Sequence, residues 1–131
     1  MKKIINETTT NQKELVNDYY RSTYRDYAFM SDNTGMSTIL SGYYGTQYAQ
    51  DLYWNPNLTW DDWKAEKATD LEKGAESANE FYKEVALSGE VMTNKFIDMT
   101  KNWRKYHWED FELFGLDQST EYGRIVYENL A

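Results

Sequence analysis

The fold is decided by residues 59–106, which read TWDDWKAEKATDLEKGAESANEFYKEVALSGEVMTNKFIDMTKNWRKY. Thr59 followed by Asp62 is typical of a helix N-terminus, and Gly89 is typical of a helix end. On both sides of that glycine, apolar residues recur at helical spacing: Leu71, Ala75, Ala78, Tyr82 and Val85, then Met92, Phe96, Met99, Trp103 and Tyr106. This spacing predicts one helix over about 59–87 and a second over about 90–106.

The two predicted helices are separated only by Ser88 and Gly89. A connection this short makes consecutive helices antiparallel neighbours, so we expect a helical hairpin with coiled-coil-like packing. Helical spacing also predicts a helix over about 11–30 and two short helices in the tail, at 108–114 and near 120–130.

The segment 36–57 is the least regular, because Gly42 and Gly45 are expected to interrupt any helix there. A single proline and 7 glycines in 131 residues still favour long helices over many turns. We therefore expect an all-α fold, a small bundle of four or five helices built around the hairpin. The chain forms a single domain, 1–131, in which residues 1–10 are flexible.

Composition excludes several classes of protein. The chain has no cysteine, which rules out disulfides, a thiol nucleophile and thiolate zinc sites. No apolar run reaches membrane-spanning length, so a cytoplasmic protein without membrane contact is expected. His107 is the only histidine, and no motif for catalysis, for a cofactor or for a metal surrounds it. We expect no catalytic residue, no cofactor and no metal, and thus a protein that is not an enzyme.

Charge is unevenly distributed, because the first helix of the hairpin is acidic, the second is basic and the tail is acidic again. The chain has a formal net charge of -8, and Glu72, Glu76, Glu80 and Glu84 follow one another at four-residue spacing. Successive carboxylates then lie roughly 6 Å apart, close to the phosphate spacing of a nucleic-acid strand, so the row can act as a DNA mimic. The alternative is an ordinary solvated helix face, in which Glu80 pairs with Lys83.

Aromatic residues outnumber branched aliphatic ones, with 12 Tyr, 5 Trp and 5 Phe. Tyrosine and tryptophan are preferred anchors of binding surfaces, and seven of them cluster in the least regular segment and just after it. A share of these seven must also fill the core. The predicted partner-binding residues are Tyr43, Tyr44, Tyr48, Tyr53, Trp54, Trp60 and Trp63, with the acids Asp61, Asp62, Glu72, Glu76, Glu80 and Glu84.

In size, charge and aromatic content the chain is similar to the inhibitors that phages and mobile elements use against restriction and CRISPR nucleases, and to nuclease immunity proteins. This similarity implies steric inhibition of a basic protein, such as a nuclease or other nucleic-acid enzyme. Direct binding of nucleic acid is not expected, because the acidic chain repels phosphates. The alternative is a structural or self-assembling helical protein, such as a virion or secreted hairpin component, whose apolar stripes pair with another copy in a homodimer.

Overall fold

The computed structural model describes residues 2–31 and 35–130, without the side chains of residues 2–8, Ala28 and Ser31. The described chain contains helices and no strand, which confirms the all-α fold class. The described residues form eight α-helices and one 3-10 turn, more than the four or five helices expected. In chain order, the helices are α1 (Lys2–Thr23), α2 (Ala28–Ser31), α3 (Met36–Trp54), α4 (Trp60–Glu66), α5 (Ala68–Leu87), α6 (Glu90–Lys101), a 3-10 turn (Trp103–Lys105), α7 (Trp108–Phe114) and α8 (Glu121–Leu130).

The most extensive helix pairing in the bundle is that of α1 with α3. Gly45 lies where the two backbones approach most closely, because a Cβ atom there would be 2.6 Å from the Cα of Lys13. The prediction that Gly42 and Gly45 interrupt a helix is therefore wrong. α3 runs through both, and the missing side chain of Gly45 allows α1 to pack directly on it.

The first helix is longer than expected, since α1 begins at Lys2 instead of about residue 11. The expected flexibility of residues 1–10 stays a prediction, and Met1 lies outside the described residues. At the other end α1 stops at Thr23, and the rest of the predicted 11–30 helix is a loop followed by the short α2. Tyr20 and Phe29 from this region are buried in the core.

The predicted helix over 59–87 is two helices that meet at Lys67, which ends α4 and precedes α5. Neither glycine nor proline marks this break. Instead, the two helices pack against different neighbours. Helix α4 contacts α3, where the indole Nε1 of Trp63 donates to the Oδ2 of Asp51 at 2.8 Å. α5 packs mainly against α8 and α6. The predicted cap is present, because the Thr59 side chain accepts from the Asp62 amide at 3.1 Å.

Helices α5 and α6 contact each other across the Ser88–Gly89 connection. The ring centroids of Phe81 and Phe96 lie 5.2 Å apart, and Thr93 Oγ1 donates to the Val85 carbonyl at 3.4 Å. The antiparallel coiled-coil-like geometry stays a prediction. The second helix ends at Lys101 and not near 106, and its predicted stripe continues into the 3-10 turn.

The tail forms the two predicted helices. Gly115 ends α7 with a φ of 116°, in the left-handed region that favours glycine, and Asp110 accepts the backbone N–H of His107 at 2.9 Å at its start. α8 buries an apolar stripe against α5 and α3, made of Tyr122, Ile125 and Val126. None of the helices described here is both long and apolar enough to cross a bilayer.

Candidate protein-binding surface

Three of the seven predicted aromatic anchors are core residues. Tyr44, Tyr48 and Trp63 are buried, so the prediction that they present a surface to a partner is wrong. Their polar atoms have partners inside the fold: Tyr44 donates to the Asp70 carbonyl at 2.8 Å and Tyr48 to the Leu58 carbonyl at 3.3 Å. A chain with few branched aliphatic residues uses these large rings to fill its interior.

Tyr43 and Trp60 are half-buried and contribute only an edge to the surface. The guanidinium of Arg124 lies 5.4 Å from the ring centroid of Tyr43 and donates to its hydroxyl at 2.8 Å. Trp60 stacks on Trp63 with centroids 5.8 Å apart, and the Lys64 ammonium lies 5.6 Å from its ring. Both side chains are already held by contacts within the fold.

Tyr53 and Trp54 remain accessible at the C-terminal end of α3. Trp54 is 82% exposed and packs edge-to-face on Tyr53, with ring centroids 5.1 Å apart. An exposed tryptophan of this kind is a candidate anchor for a partner. It is the part of the predicted aromatic cluster that retains a surface role.

The predicted acids are all exposed. Asp61 pairs with Lys64 at 3.5 Å, while Asp62 lies in the first turn of α4, where a carboxylate is favoured. The four glutamates at 72, 76, 80 and 84, here called the acidic row, lie on α5 and form no salt bridge with a described side chain. The expected pairing of Glu80 with Lys83 is absent, so the row presents four exposed carboxylates, with Lys73 and Lys83 on the same helix.

The acidic row ends at a group of exposed apolar side chains that sequence reasoning did not single out. Leu87 is 88% exposed, Val91 80% and Leu113 88%, and Met92 is partly exposed. We call these four residues the tip. Met92 also lines a cleft of about 120 Å³, together with Phe81, Glu84, Val85, Ser88, Phe114 and Gly115.

The cleft joins the acidic row to the tip. Glu84 is a member of the row and lines the cleft together with Met92 of the tip. Leu87, Val91 and Leu113 are each next in sequence to a residue that lines the cleft. Two further exposed acids, Glu90 and Glu112, precede Val91 and Leu113. The cleft therefore brings a carboxylate of the row and an apolar side chain of the tip together.

The sequence does contain a signal for the tip. Leu87 lies two positions after Val85, which places it on the opposite side of α5 from the buried stripe. Val91 directly precedes Met92, the first residue of the α6 stripe, and so it also lies outside that stripe. Apolar residues that fall outside a helix's buried stripe are the ones that reach solvent, so helical spacing alone indicates that these two side chains are exposed.

The described residues include no group of three or more histidine, aspartate or glutamate side chains placed to hold a metal ion. His107 is exposed at the start of α7, and the carboxylate beside it, Asp110, is engaged in capping that helix. The chain matches no known family model, no curated protein and no solved structure. Its function therefore has to be inferred from the surface itself.

Proposed function

We propose that this chain is a protein-binding inhibitor that sterically covers a basic surface of a nucleic-acid-processing enzyme. The observation that carries the proposal is that Glu84 of the acidic row and the partly exposed Met92 of the tip line one cleft, with the strongly exposed Leu87, Val91 and Leu113 each adjacent in sequence to a lining residue. Protein interfaces combine an apolar centre with a polar rim in this way.

The tip supplies the apolar part of the contact. Monomeric proteins seldom leave several large apolar side chains exposed together, and such patches mark interaction sites. Leu87, Val91 and Leu113 gain from burial in a partner, at roughly 25 cal/mol for each Å² removed from water. Trp54 at the end of α3 is a separate exposed apolar group.

The acidic row supplies charge complementarity. Its carboxylates repeat roughly every 6 Å along α5, near the spacing of phosphates, and a channel that binds nucleic acid offers lysine and arginine at matching positions. Such charges act mainly on the association rate and are screened by salt. The inhibitor would occupy the channel without chemistry of its own, as in the anti-CRISPR, anti-restriction or nuclease-immunity classes.

The test compares two variants that remove the same charge. Glu76→Gln with Glu80→Gln shortens the acidic row, whereas Glu14→Gln with Asp18→Asn removes two exposed acids of α1. Each is used at low salt to capture proteins from a lysate, and each captured enzyme is then purified and assayed for cleavage of nucleic acid. We expect the wild type and the α1 control to inhibit cleavage, and the row variant to inhibit at least about tenfold less.

Equal inhibition by the row variant and the α1 control would reject the acidic row as the binding surface. Capture that is unchanged between about 50 mM and 500 mM salt would reject electrostatic steering. A partner that has no activity on nucleic acid would reject this class of target.

The alternative is a structural, self-assembling protein, and the exposed tip favours it specifically. Pairing of the two apolar stripes with another copy is contradicted, because Leu71, Ala75, Ala78, Tyr82, Val85, Phe96 and Met99 are buried within the chain. A second copy would have to cover the tip instead. Sedimentation velocity at several protein concentrations tests this: a dimer that Leu87→Ser with Val91→Ser dissociates would support self-assembly over inhibition.

A further inference from the structure

A cleft of about 260 Å³ opens beside the 3-10 turn, far along α6 from the tip. It is lined by Thr38, Lys101, Asn102, Trp103, Arg104 and Lys105, here called the basic cleft. Three of its six residues are cations, although the chain as a whole carries a net charge of -8. A local concentration of positive charge on an acidic protein needs an explanation other than overall composition.

None of these cations forms a salt bridge with an acidic side chain that the structure describes. The nearest acid along the chain, Asp98, is occupied by neutral donors: the Asn102 amide at 3.0 Å and the Tyr106 hydroxyl at 2.6 Å. Asp98 keeps its charge, but neither of its oxygens forms an ion pair with a cation of the cleft.

An adjoining cleft shares Trp103 with the basic cleft and is lined by another cation, Lys13 of α1. Burial together with the charge of Arg104 lowers the pKa of the Lys13 ammonium group. Glu128 lines the same adjoining cleft, but it pairs with Arg124 at 3.2 Å. The charge of Arg104 disfavours the charged form of Lys13, and an anion bound near both groups would offset this effect.

Trp103 gives the cleft a fixed wall. Its ring is half-buried, and the Arg104 guanidinium carbon lies 5.1 Å from the ring centroid, a cation–π arrangement that orients the guanidinium. A guanidinium held in this way, with a second cation and the Thr38 hydroxyl beside it, presents several N–H and O–H donors to an oxyanion.

We propose that the basic cleft binds the phosphate group of a small ligand, with Arg104, Lys105 and Lys101 as the charged donors. This site is independent of the proposed inhibitory surface, which lies on α5 and at the tip. A small anion fits better than a long nucleic acid, because the remaining charge of the molecule repels an extended polyanion but acts weakly on a compact one near the cations.

Two probes distinguish the source of the phosphate: inorganic phosphate and adenosine monophosphate. Each is titrated into the ¹⁵N-labelled chain at constant ionic strength, with amide shifts as the readout. We expect saturable shifts at Thr38 and over residues 101–105. Tighter binding of the nucleotide would assign the ligand to a nucleotide that also contacts Trp103, and equal affinity would assign it to phosphate alone.

The variant Arg104→Gln with Lys105→Gln should weaken binding at least about tenfold. The matched control, Lys73→Gln with Lys83→Gln, removes the same charge from exposed positions of α5 and should leave affinity unchanged. Shifts that do not saturate, or an equal loss of affinity in the control, would overturn the proposal. Tighter binding of a twelve-nucleotide DNA strand than of the mononucleotide would overturn it in favour of a nucleic-acid site.

Discussion

At the scale of single residues, the tyrosine hydroxyls show how this chain builds a core from amphipathic rings. Tyr20 donates to the Leu71 carbonyl at 3.0 Å and Tyr44 to the Asp70 carbonyl at 2.8 Å, so both rings are buried with their polar atoms satisfied. Gly74 leaves room for this contact, since a Cβ atom there would lie 2.9 Å from the Tyr44 hydroxyl. The Tyr122 hydroxyl is different, because it is buried and no described group bonds to it.

The contrast between Tyr122 and Tyr44 gives a first prediction. Tyr122→Phe removes a hydroxyl without a partner and should leave the free energy of unfolding unchanged or raise it by up to about 1 kcal/mol. Tyr44→Phe removes a buried hydrogen bond and should lower it by about 1 kcal/mol. Urea unfolding of the two variants measures both values. A larger loss of stability from Tyr122→Phe than from Tyr44→Phe would mean that the Tyr122 hydroxyl has a hydrogen-bond partner.

Two tryptophans of the same predicted cluster should differ in their effect on stability. Trp63→Ala leaves a cavity and an unpaired Asp51, so the free energy of unfolding should fall by about 3–5 kcal/mol. Trp54 is almost fully exposed, so Trp54→Ala should change it by no more than about 0.5 kcal/mol. Chemical denaturation of both variants tests this, and comparable losses would show that Trp54 packs within the fold.

At the scale of helices, the contact of α1 with α3 depends on one glycine. Gly42 and Gly45 lie one turn apart on α3, yet only Gly45 faces a backbone at close range. The nearest atoms to a Cβ at Gly42 belong to the Asn129 side chain, at 3.8 Å, which is an ordinary contact. The same substitution at the two positions therefore separates helix propensity from helix packing.

Gly45→Ala should lower the free energy of unfolding by about 1–3 kcal/mol, because the added methyl pushes α1 away from α3. Gly42→Ala should raise it by up to about 1 kcal/mol, because alanine favours the helix more than glycine does and the added methyl makes only an ordinary contact with Asn129. The urea concentrations at the midpoints of unfolding give the comparison, provided that the free energy of unfolding depends on urea concentration with the same slope in both variants. Stabilisation by both substitutions would show that α1 can shift without cost.

The acidic row should destabilise α5 in the free protein. Like charges at four-residue spacing disfavour a helix by roughly 0.2–0.5 kcal/mol per pair, and Glu76→Gln with Glu80→Gln removes three such pairs. We expect the free energy of unfolding of this variant to be about 1 kcal/mol higher than that of the wild type at low salt. The difference should become smaller at high salt, because salt screens the repulsion. The variant that loses partner binding would then be the more stable one, which excludes misfolding as the cause. A gain that is independent of salt would argue against charge repulsion.

At the scale of the whole molecule, the buried tyrosines make the fold sensitive to alkali. Burial raises the pKa of Tyr20, Tyr24, Tyr44 and Tyr122 well above the ordinary value near 10. In the unfolded chain these groups ionise near pH 10, whereas in the folded chain they keep their protons. Between those pKa values the folded state binds more protons, so stability declines as pH rises.

The contribution of these tyrosines to the free energy of unfolding should therefore be independent of pH below about pH 9. Above pH 10 the free energy of unfolding should fall. The slope is up to about 1.4 kcal/mol per pH unit for each buried tyrosine. Urea unfolding at pH 8, 10 and 11 measures the decline, and Tyr44→Phe should reduce its slope by the share of one tyrosine. Stability that stays level from pH 9 to 11 would contradict the burial of these hydroxyls.

The sequence by itself determined the fold class, the cap at Thr59 and the ends of helices at Gly89 and Gly115. These depend on local rules, namely apolar spacing, side-chain caps and the conformational freedom of glycine, which act within a few residues. Exposure of the acidic row also followed from its position opposite the stripe that begins at Leu71.

Only the tertiary structure decided which aromatic rings are core and which are surface. Tyr44 and Tyr48 can be buried because α5 and the segment before α4 supply carbonyl acceptors for their hydroxyls, whereas Trp54, in the same helix, is 82% exposed. The break at Lys67, the passage of α3 through Gly45 and the cleft that Lys13 and Trp103 both line likewise depend on residues distant in sequence. Local patterns do not encode these contacts, because they arise from the packing of one helix against another.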